Sequence, residues 1–327
     1  MKVRILLAAV ALFMAVPGFA QSDGDIRNLA LATPGAGSGL TYVSDNGGLD
    51  MGAQLSAGLD WSIIPKRLSI SLDEEIRLKD NFSNPGKAYS NVSLSLKLFP
   101  WLKAGAYYSF IMAKNSAGEW RARHRGAASL TASAKVWNLK ISLREKFQAT
   151  YKDYEVNPYQ SPQTEFSLKS RLKVEYDLLH STWTPYVSAE VRNCFNAVNP
   201  SSFVYGTYTW QKYDGASASW ENKTRTCYGN LTPTYDDIYV NRLRFNLGAD
   251  WKFARNQSLD MFLIFDYFMD MPIDFTSSGI QKSYGKYLED ASGSVVSESN
   301  YYKYGVGILT LKDSFFFGVG LAYRFKL

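Results

Sequence analysis

Hydrophobic and polar positions alternate along most of this chain with a period of two. In 49–63, Leu49, Met51, Ala53, Leu55, Ala57, Leu59, Trp61 and Ile63 share one face. Asp50, Gly52, Gln54, Ser56, Gly58, Asp60 and Ser62 share the other. The stretch 88–98 repeats the pattern, with Val92, Leu94, Leu96 and Leu98 set against Asn91, Ser93, Ser95 and Lys97. So does 166–178, where Phe166, Leu168, Leu172, Val174 and Tyr176 oppose Ser167, Lys169, Arg171, Lys173 and Glu175. Such alternation is the mark of strands with one face apolar and one polar. It predicts strands at 38–45, 49–62, 68–79, 88–99, 102–112, 119–136, 139–152, 164–178, 183–195, 237–253, 258–271 and 314–327. That is about twelve, with 301–309 read as a hairpin arm or an extension of the last strand. A Ser-Asp-Asn-Gly-Gly turn at 44–48 separates the first two.

The predicted connections alternate in length. Short turns fall at 63–67, 100–101, 137–138, 179–182 and 254–257, and long loops at 80–87, 113–118, 153–163, 196–236 and 272–300. A tilted strand crosses a bilayer in about nine to eleven residues, a length that most of these segments exceed. Short turns on one side with long loops on the other is the pattern of an outer-membrane barrel. Each short turn has a tryptophan beside it: Trp61, Trp101, Trp137, Trp183 and Trp251. Indole rings favour the headgroup level, so these five predict an aromatic girdle at the periplasmic rim. The competing reading makes them core aromatics of a soluble sandwich, which gives no reason for their recurrence at one rim. Lipid cannot solvate charges or an open sheet edge, so in a membrane barrel the apolar face must point outward. The expected fold is all-β: a single antiparallel transmembrane barrel of about twelve strands.

Composition narrows the function classes. Beyond the first twenty residues no run of eighteen apolar residues occurs, which excludes helical membrane spans. Aromatics make up 15% of the chain and hydrophobic residues 46%, too many for a disordered protein. Two His and two Cys leave little room for a metal site, and none is expected. Lys and Arg number 36 against 30 Asp and Glu, without a basic run that would suggest nucleic acid. Residues 1–20 carry Lys2 and Arg4, an apolar run from Ile5 to Val16, then Gly18 and Ala20. This is the form of a secretory signal peptide, cleaved after Ala20. Its removal leaves 34 bases against 30 acids, or +4. The domain plan is a signal peptide at 1–20, a periplasmic segment at 21–37 and an outer-membrane barrel at 38–327, reached by Sec-type secretion. Cys194 and Cys227 then meet an oxidising compartment, and a bridge between them is expected. It would close about 33 residues and stabilise by roughly 3–4 kcal/mol. Two free thiols are the alternative. Within that loop Tyr205, Tyr208, Trp210, Tyr213 and Trp220 suit glycan or lipopolysaccharide contact, or simply pack over the barrel mouth.

The enclosed face carries the candidate chemistry. Glu75, Arg171, Glu190 and Arg244 fall at one height, with Arg77, Lys169, Arg192 and Arg242 one step further out. Arg121, Arg123 and Arg125 point inward with Glu119, and Arg144 and Lys146 lie lower. In one reading these acids and bases pair across strands and fill a narrow lumen. In the other, the basic surplus lines a constriction that draws small anionic solutes. Three residues break the pattern: Glu74, Glu145 and His124 fall on the nominal lipid face. A β-bulge that turns them inward would explain the glutamates, as would a place near the headgroups. No catalytic residue is assigned. His124 and His180 are the only histidines, and Ser129 and Ser133 have the parity opposite to His124. No phosphate-binding loop, nucleotide motif or cofactor signature is present.

Several segments resemble an uncharacterised bacterial outer-membrane β-barrel family catalogued as domain of unknown function 2490. They are Leu72-Asp73-Glu74-Glu75-Ile76-Arg77, Gly105-Ala106-Tyr107-Tyr108, Leu143-Arg144-Glu145-Lys146-Phe147, Tyr186-Val187-Ser188-Ala189-Glu190 and Asn241 to Gly248. The resemblance runs from Leu68 to Met271. It implies an outer-membrane barrel and supplies no activity. The ending Gly320-x-x-Tyr323-x-Phe325 resembles the signal read by the bacterial barrel-insertion machinery, with Lys326 and Leu327 added beyond it. The function expected is a narrow porin-like channel or a solute-binding barrel with a charged lumen. The alternative is a non-conducting structural or surface-binding barrel whose stapled loop contacts glycans or partners; an outer-membrane lipid-modifying enzyme ranks below both. Expected partners are outer-membrane lipid, lipopolysaccharide and the insertion machinery.

Overall fold

The alternation closes into one sheet. The computed structural model describes residues 40–115, 117–156, 161–197, 205–214, 219–228, 234–270, 273–274 and 307–327. For 40–47, 205–214, 219–228, 270, 273–274 and 307–313 it describes the backbone alone. The signal peptide at 1–20, the segment 21–37 and most of the loop at 272–300 lie outside the described residues.

The strands are β1 (Leu40–Ile64), β2 (Leu68–Lys79), β3 (Asn84–Phe99), β4 (Leu102–Lys114), β5 (Trp120–Val136), β6 (Leu139–Lys152), β7 (Thr164–Tyr176) and β8 (Trp183–Ala197). They continue as β9 (Tyr205–Asp214), β10 (Ser219–Tyr228), β11 (Asp237–Ala254), β12 (Gln257–Asp270), β13 (Ile273–Asp274) and β14 (Gly307–Lys326). The ring runs β1 through β8, then β11, β12 and β14, and closes where β14 pairs with β1. Among the described residues the ring therefore has eleven strands rather than twelve. All neighbours are antiparallel except the closing pair, which is parallel, with Leu40 opposite Gly307 and Asp60 opposite Lys326.

The missing strand has a local cause. The two strands expected at 38–45 and 49–62 form one strand, β1. The Gly47-Gly48 pair, taken for a turn, is absorbed as a β-bulge: the register with β14 shifts between Asn46 and Leu49. A bulge adds one residue to a strand without reversing it. An odd ring of alternating strands must bring its first and last members together in the same direction. The chain therefore enters β1 at the rim of the long connections, whereas an even, fully antiparallel ring would place that entrance at the short turns. A second difference lies in the stretch expected to be a loop at 196–236. There β9 and β10 pair with each other as a separate two-stranded sheet.

The apolar face points outward. Leu55, Leu59, Leu94, Leu130, Phe245 and Leu247 are all exposed, Leu247 at 57%. The polar positions turn inward, where Ser109, Gln148, Thr150, Ser167, Glu190 and Asp266 are buried. The tryptophans stand at the short-turn rim. Trp183 stacks on Trp251 at 5.3 Å, Trp101 on Phe99 at 5.7 Å, and Trp137 is 89% exposed in its turn with φ 54°. Also at this rim, Lys135 hydrogen-bonds Asp177 at 2.6 Å and holds that carboxyl below its usual range.

Close approach to the inner wall demands glycine at position 320. A Cβ on Gly320 would collide with the ring of Phe262, which lies across it from β12. Large rings laid over strand glycines pin register. Gly320→Val is expected to dislodge that ring and destabilise the barrel by about 1–3 kcal/mol, as overpacking does. Urea unfolding in detergent micelles measures it; an unchanged midpoint would show that the ring can move away freely.

Candidate functional site

Inside the barrel, strand register decides which charges meet. Arg171 on β7 is the direct partner of Glu190 on β8, which faces Arg244 on β11, which faces Asp266 on β12. The next row up is entirely basic: Lys146 faces Lys169, Lys169 faces Arg192, and Arg192 faces Arg242. Below it Arg144 faces Arg171. Of the two rows anticipated from residue counting, Arg171–Glu190–Arg244 and Lys169–Arg192–Arg242 are neighbours in register, whereas Glu75 and Arg77 lie on β2, between β1 and β3.

Like charges directly opposite one another repel, so such rows need anions. Three carboxylates supply them. Glu190 takes Arg242 at 2.9 Å on one oxygen and Arg144 at 3.1 Å on the other. Asp266, 1% exposed, receives Arg244 through two bonds of 2.6 and 2.5 Å, with Arg242 at 4.0 Å. Glu165 pairs with Arg192, which also donates to Asn241 Oδ1 at 3.0 Å. The two-pronged Arg244–Asp266 contact has the strong, directional geometry of guanidinium and carboxylate. Neither Glu165 nor Asp266 was a candidate from sequence. Asp266 is a lone acid between the apolar run Phe262-Leu263-Ile264-Phe265 and Tyr267-Phe268, and only its even parity points to the inner face.

These carboxylates do not reach every base. Among the described residues Arg123, Arg125, Lys146, Lys169 and Arg171 have no carboxylate within 4.0 Å. Lys146 lies 3.8 Å from the centre of the Tyr107 ring, and Arg125 donates to Thr150 Oγ at 2.9 Å. The Nε atoms of Arg123 and Arg171 are buried without a hydrogen-bond partner. The paired and unpaired readings of the lumen therefore coexist, on different residues. Arg77 belongs to the paired set: its Nε meets Glu75 at 2.5 Å and its plane lies over Tyr89. Arg121 sits at the long-connection rim with Glu119 at 2.6 Å, exposed rather than lumenal.

The open space lies toward the short-turn rim. One cavity of about 670 Å³ is bounded by serines of β1 to β5 and by Lys103, Arg144 and Arg171. A second, of about 290 Å³, lies against β7, β8, β11 and β12. Arg171, Asp60, Arg324 and Lys326 border both. Further up, Tyr89, Ile111, Gln148, Ser167 and Cys194 are buried.

The three exceptions stay on the outer face; no bulge turns them in. Glu74 accepts from Ser90 Oγ at 2.8 Å, and Glu145 accepts from Ser170 Oγ at 2.5 Å. In both cases the serine is the direct partner on the next strand. His124 Nδ1 meets the Tyr108 hydroxyl at 2.8 Å, its Nε2 lies 3.9 Å from Asp153, and Phe110 packs on its ring. Ser129 lines the lumenal cavity instead. Among the described residues no three His, Cys, Asp or Glu side chains gather as a metal site would need. Cys194 is buried on the inner face of β8. The Cys227 side chain, with those of Tyr205, Tyr208, Trp210, Tyr213 and Trp220, lies outside the described residues, and so does the expected bridge.

No curated protein matches the chain. A family model does, over residues 55–209, and its description is Protein of unknown function (DUF2490). The matched stretch begins in β1 and ends in β9, so the Asn241–Gly248 segment that contributed to the resemblance falls beyond it.

Proposed function

We propose that this chain is an outer-membrane barrel acting as a narrow pathway for small anions; residues 55–209, which match the model of that family of unknown function, build most of its lumen wall. The outward apolar belt, the tryptophan rim and the secretion signal at 1–20 support the membrane location. The β14 ending Gly320-x-x-Tyr323-x-Phe325 supports delivery by the insertion machinery. One observation carries the solute preference: in the row Lys146–Lys169–Arg192–Arg242, Lys146 and Lys169 have no carboxylate within 4.0 Å among the described residues. A ring of uncompensated charge at a constriction selects counter-ions.

Conductance in planar bilayers tests this. Under a KCl gradient the reversal potential is expected to show chloride preferred over potassium. The double variant Lys146→Gln, Lys169→Gln is expected to remove most of that preference. Arg77→Gln, whose charge is already compensated by Glu75, is expected to change it little. Silence across repeated preparations, or selectivity that ignores the double variant, overturns the proposal.

A further inference from the structure

The chemistry of the cavity at the short-turn end is more particular than a general attraction for anions. Its wall on β2 to β5 is a field of hydroxyls: Ser69, Ser71, Ser93, Ser95, Ser129 and Thr131. They arise because the inner-face positions of neighbouring strands carry serine or threonine at matching heights. Ser69 is paired with Ser95 and Ser71 with Ser93. Each hydroxyl both donates and accepts, and rotates to suit its partner. Across from this wall stands Arg171, with a buried Nε that bonds nothing and no carboxylate in reach. Arg144 lies beside it, with one nitrogen committed to Glu190. Lys103 is exposed at the cavity side. Asp60 and Asp73 also border the space, on the β1 and β2 side, with Arg324 and Lys326 of β14 beside them.

We infer that this cavity is a binding site for a small hydroxylated anion, of the class of sugar acids and sugar phosphates. It rests on the reading that the lumen is where this barrel meets its solutes, and deepens it. Arg171 takes the carboxylate or phosphate, because a guanidinium presents two parallel N–H donors matched to such oxygens. The serine and threonine hydroxyls take the sugar hydroxyls. Tyr107 offers a ring at the same wall, one face of it covered by Lys146. The volume, about 670 Å³, falls within the range of small-molecule sites and exceeds what an inorganic ion would fill. The mouth is framed by Ser62, Lys326 and Leu327, so the site is reached from the short-turn rim.

Isothermal titration of the full chain in detergent micelles tests this, with D-glucuronate, glucose 6-phosphate, glucose, acetate and inorganic phosphate as separate probes. Glucuronate and glucose 6-phosphate are expected to bind. Glucose, which lacks the charge, and acetate and phosphate, which lack the ring of hydroxyls, are each expected to bind at least about tenfold more weakly. Arg171→Gln is expected to weaken both charged sugars by about 10–100-fold, the effect of removing a charge-assisted bond. It is expected to leave the weak glucose signal unchanged. The double variant Ser93→Ala, Ser95→Ala removes two hydroxyls without touching any charge, and gives a second reading should Arg171→Gln fail to fold. It is expected to weaken glucuronate while sparing acetate. Equal affinity for acetate and glucuronate, or glucuronate binding that neither variant alters, overturns the site. Bilayer recordings separate this failure from that of the pathway. Anion-selective current without glucuronate binding refutes the sugar-anion site alone. Glucuronate binding that depends on Arg171 in a silent barrel refutes the pathway alone.

Discussion

Asp266→Asn and Glu190→Gln are each expected to lower the stability of the folded barrel by about 3–5 kcal/mol, the effect of leaving a buried charge without its partner. Asp266 is 1% exposed and its loss strands Arg244, whose two bonds both end on it, while weakening Arg242. Glu190 is the one carboxylate held between Arg144 and Arg242, so its neutralisation leaves two arginines facing each other across a row that already repels. Removing acid and base together should cost less than removing the acid. Arg244→Met combined with Asp266→Asn is expected to recover a large part of the loss. Urea titration in micelles, followed by tryptophan fluorescence, reads all of these. A shift below about 1 kcal/mol for both single variants would mean that the network is solvated and not structural.

If the proposed membrane location is right, Leu247→Arg is expected to destabilise the barrel by roughly 2–4 kcal/mol, the effect of a cation on a lipid-facing site near the bilayer midplane. Ser93→Arg, on the inner face, is expected to be nearly neutral. Leu247 is 57% exposed among the outward residues Leu263 and Val187, its direct partners. Ser93 borders the open cavity, where a long cation can reach water. The contrast between the two sites isolates the facing of the sheet from the general effect of adding charge. Matching losses at both, in lipid vesicles, would mean that hydrocarbon does not surround Leu247.

Much of the barrel could be read from the chain because a strand's side chains change face at every residue. Parity alone places Leu55 outside and Ser56 inside. Counting from the short turns puts Arg171, Glu190 and Arg244 at one height, and these three are partners in register. Parity fails where a local device intervenes. Gly47 and Gly48 carry the signature of a turn, yet a bulge uses the same residues and lets β1 run straight on. The stretch 205–228 lies within the loop expected at 196–236, although Thr207, Thr209 and Gln211 alternate with aromatics as a strand requires. Who pairs with whom is a different matter. It needs the register of four or five strands at once, and that is why parity does not separate the paired Arg77 and Arg242 from Lys146, Lys169 and Arg171, which have no carboxylate within 4.0 Å among the described residues. The acids were hidden for a chemical reason: Asp266 is a single charge among phenylalanines, and nothing local says that it answers two arginines on the next strand.

The parallel seam between β1 and β14 bears on how the molecule assembles in time. Every other pair in the ring joins strands that are close neighbours along the chain or separated by one excursion, and can zip as soon as both are made. The seam alone joins the first strand to the last, across the greatest possible sequence separation, and its loop-closure entropy falls due at the end. Until then two long edges, 40–64 and 307–326, stand open with unpaired amides, the condition under which sheets recruit foreign strands. The slowest phase of folding should accordingly be the locking of this seam, and a nascent barrel held open there is the species on which a folding catalyst or a competing strand would act.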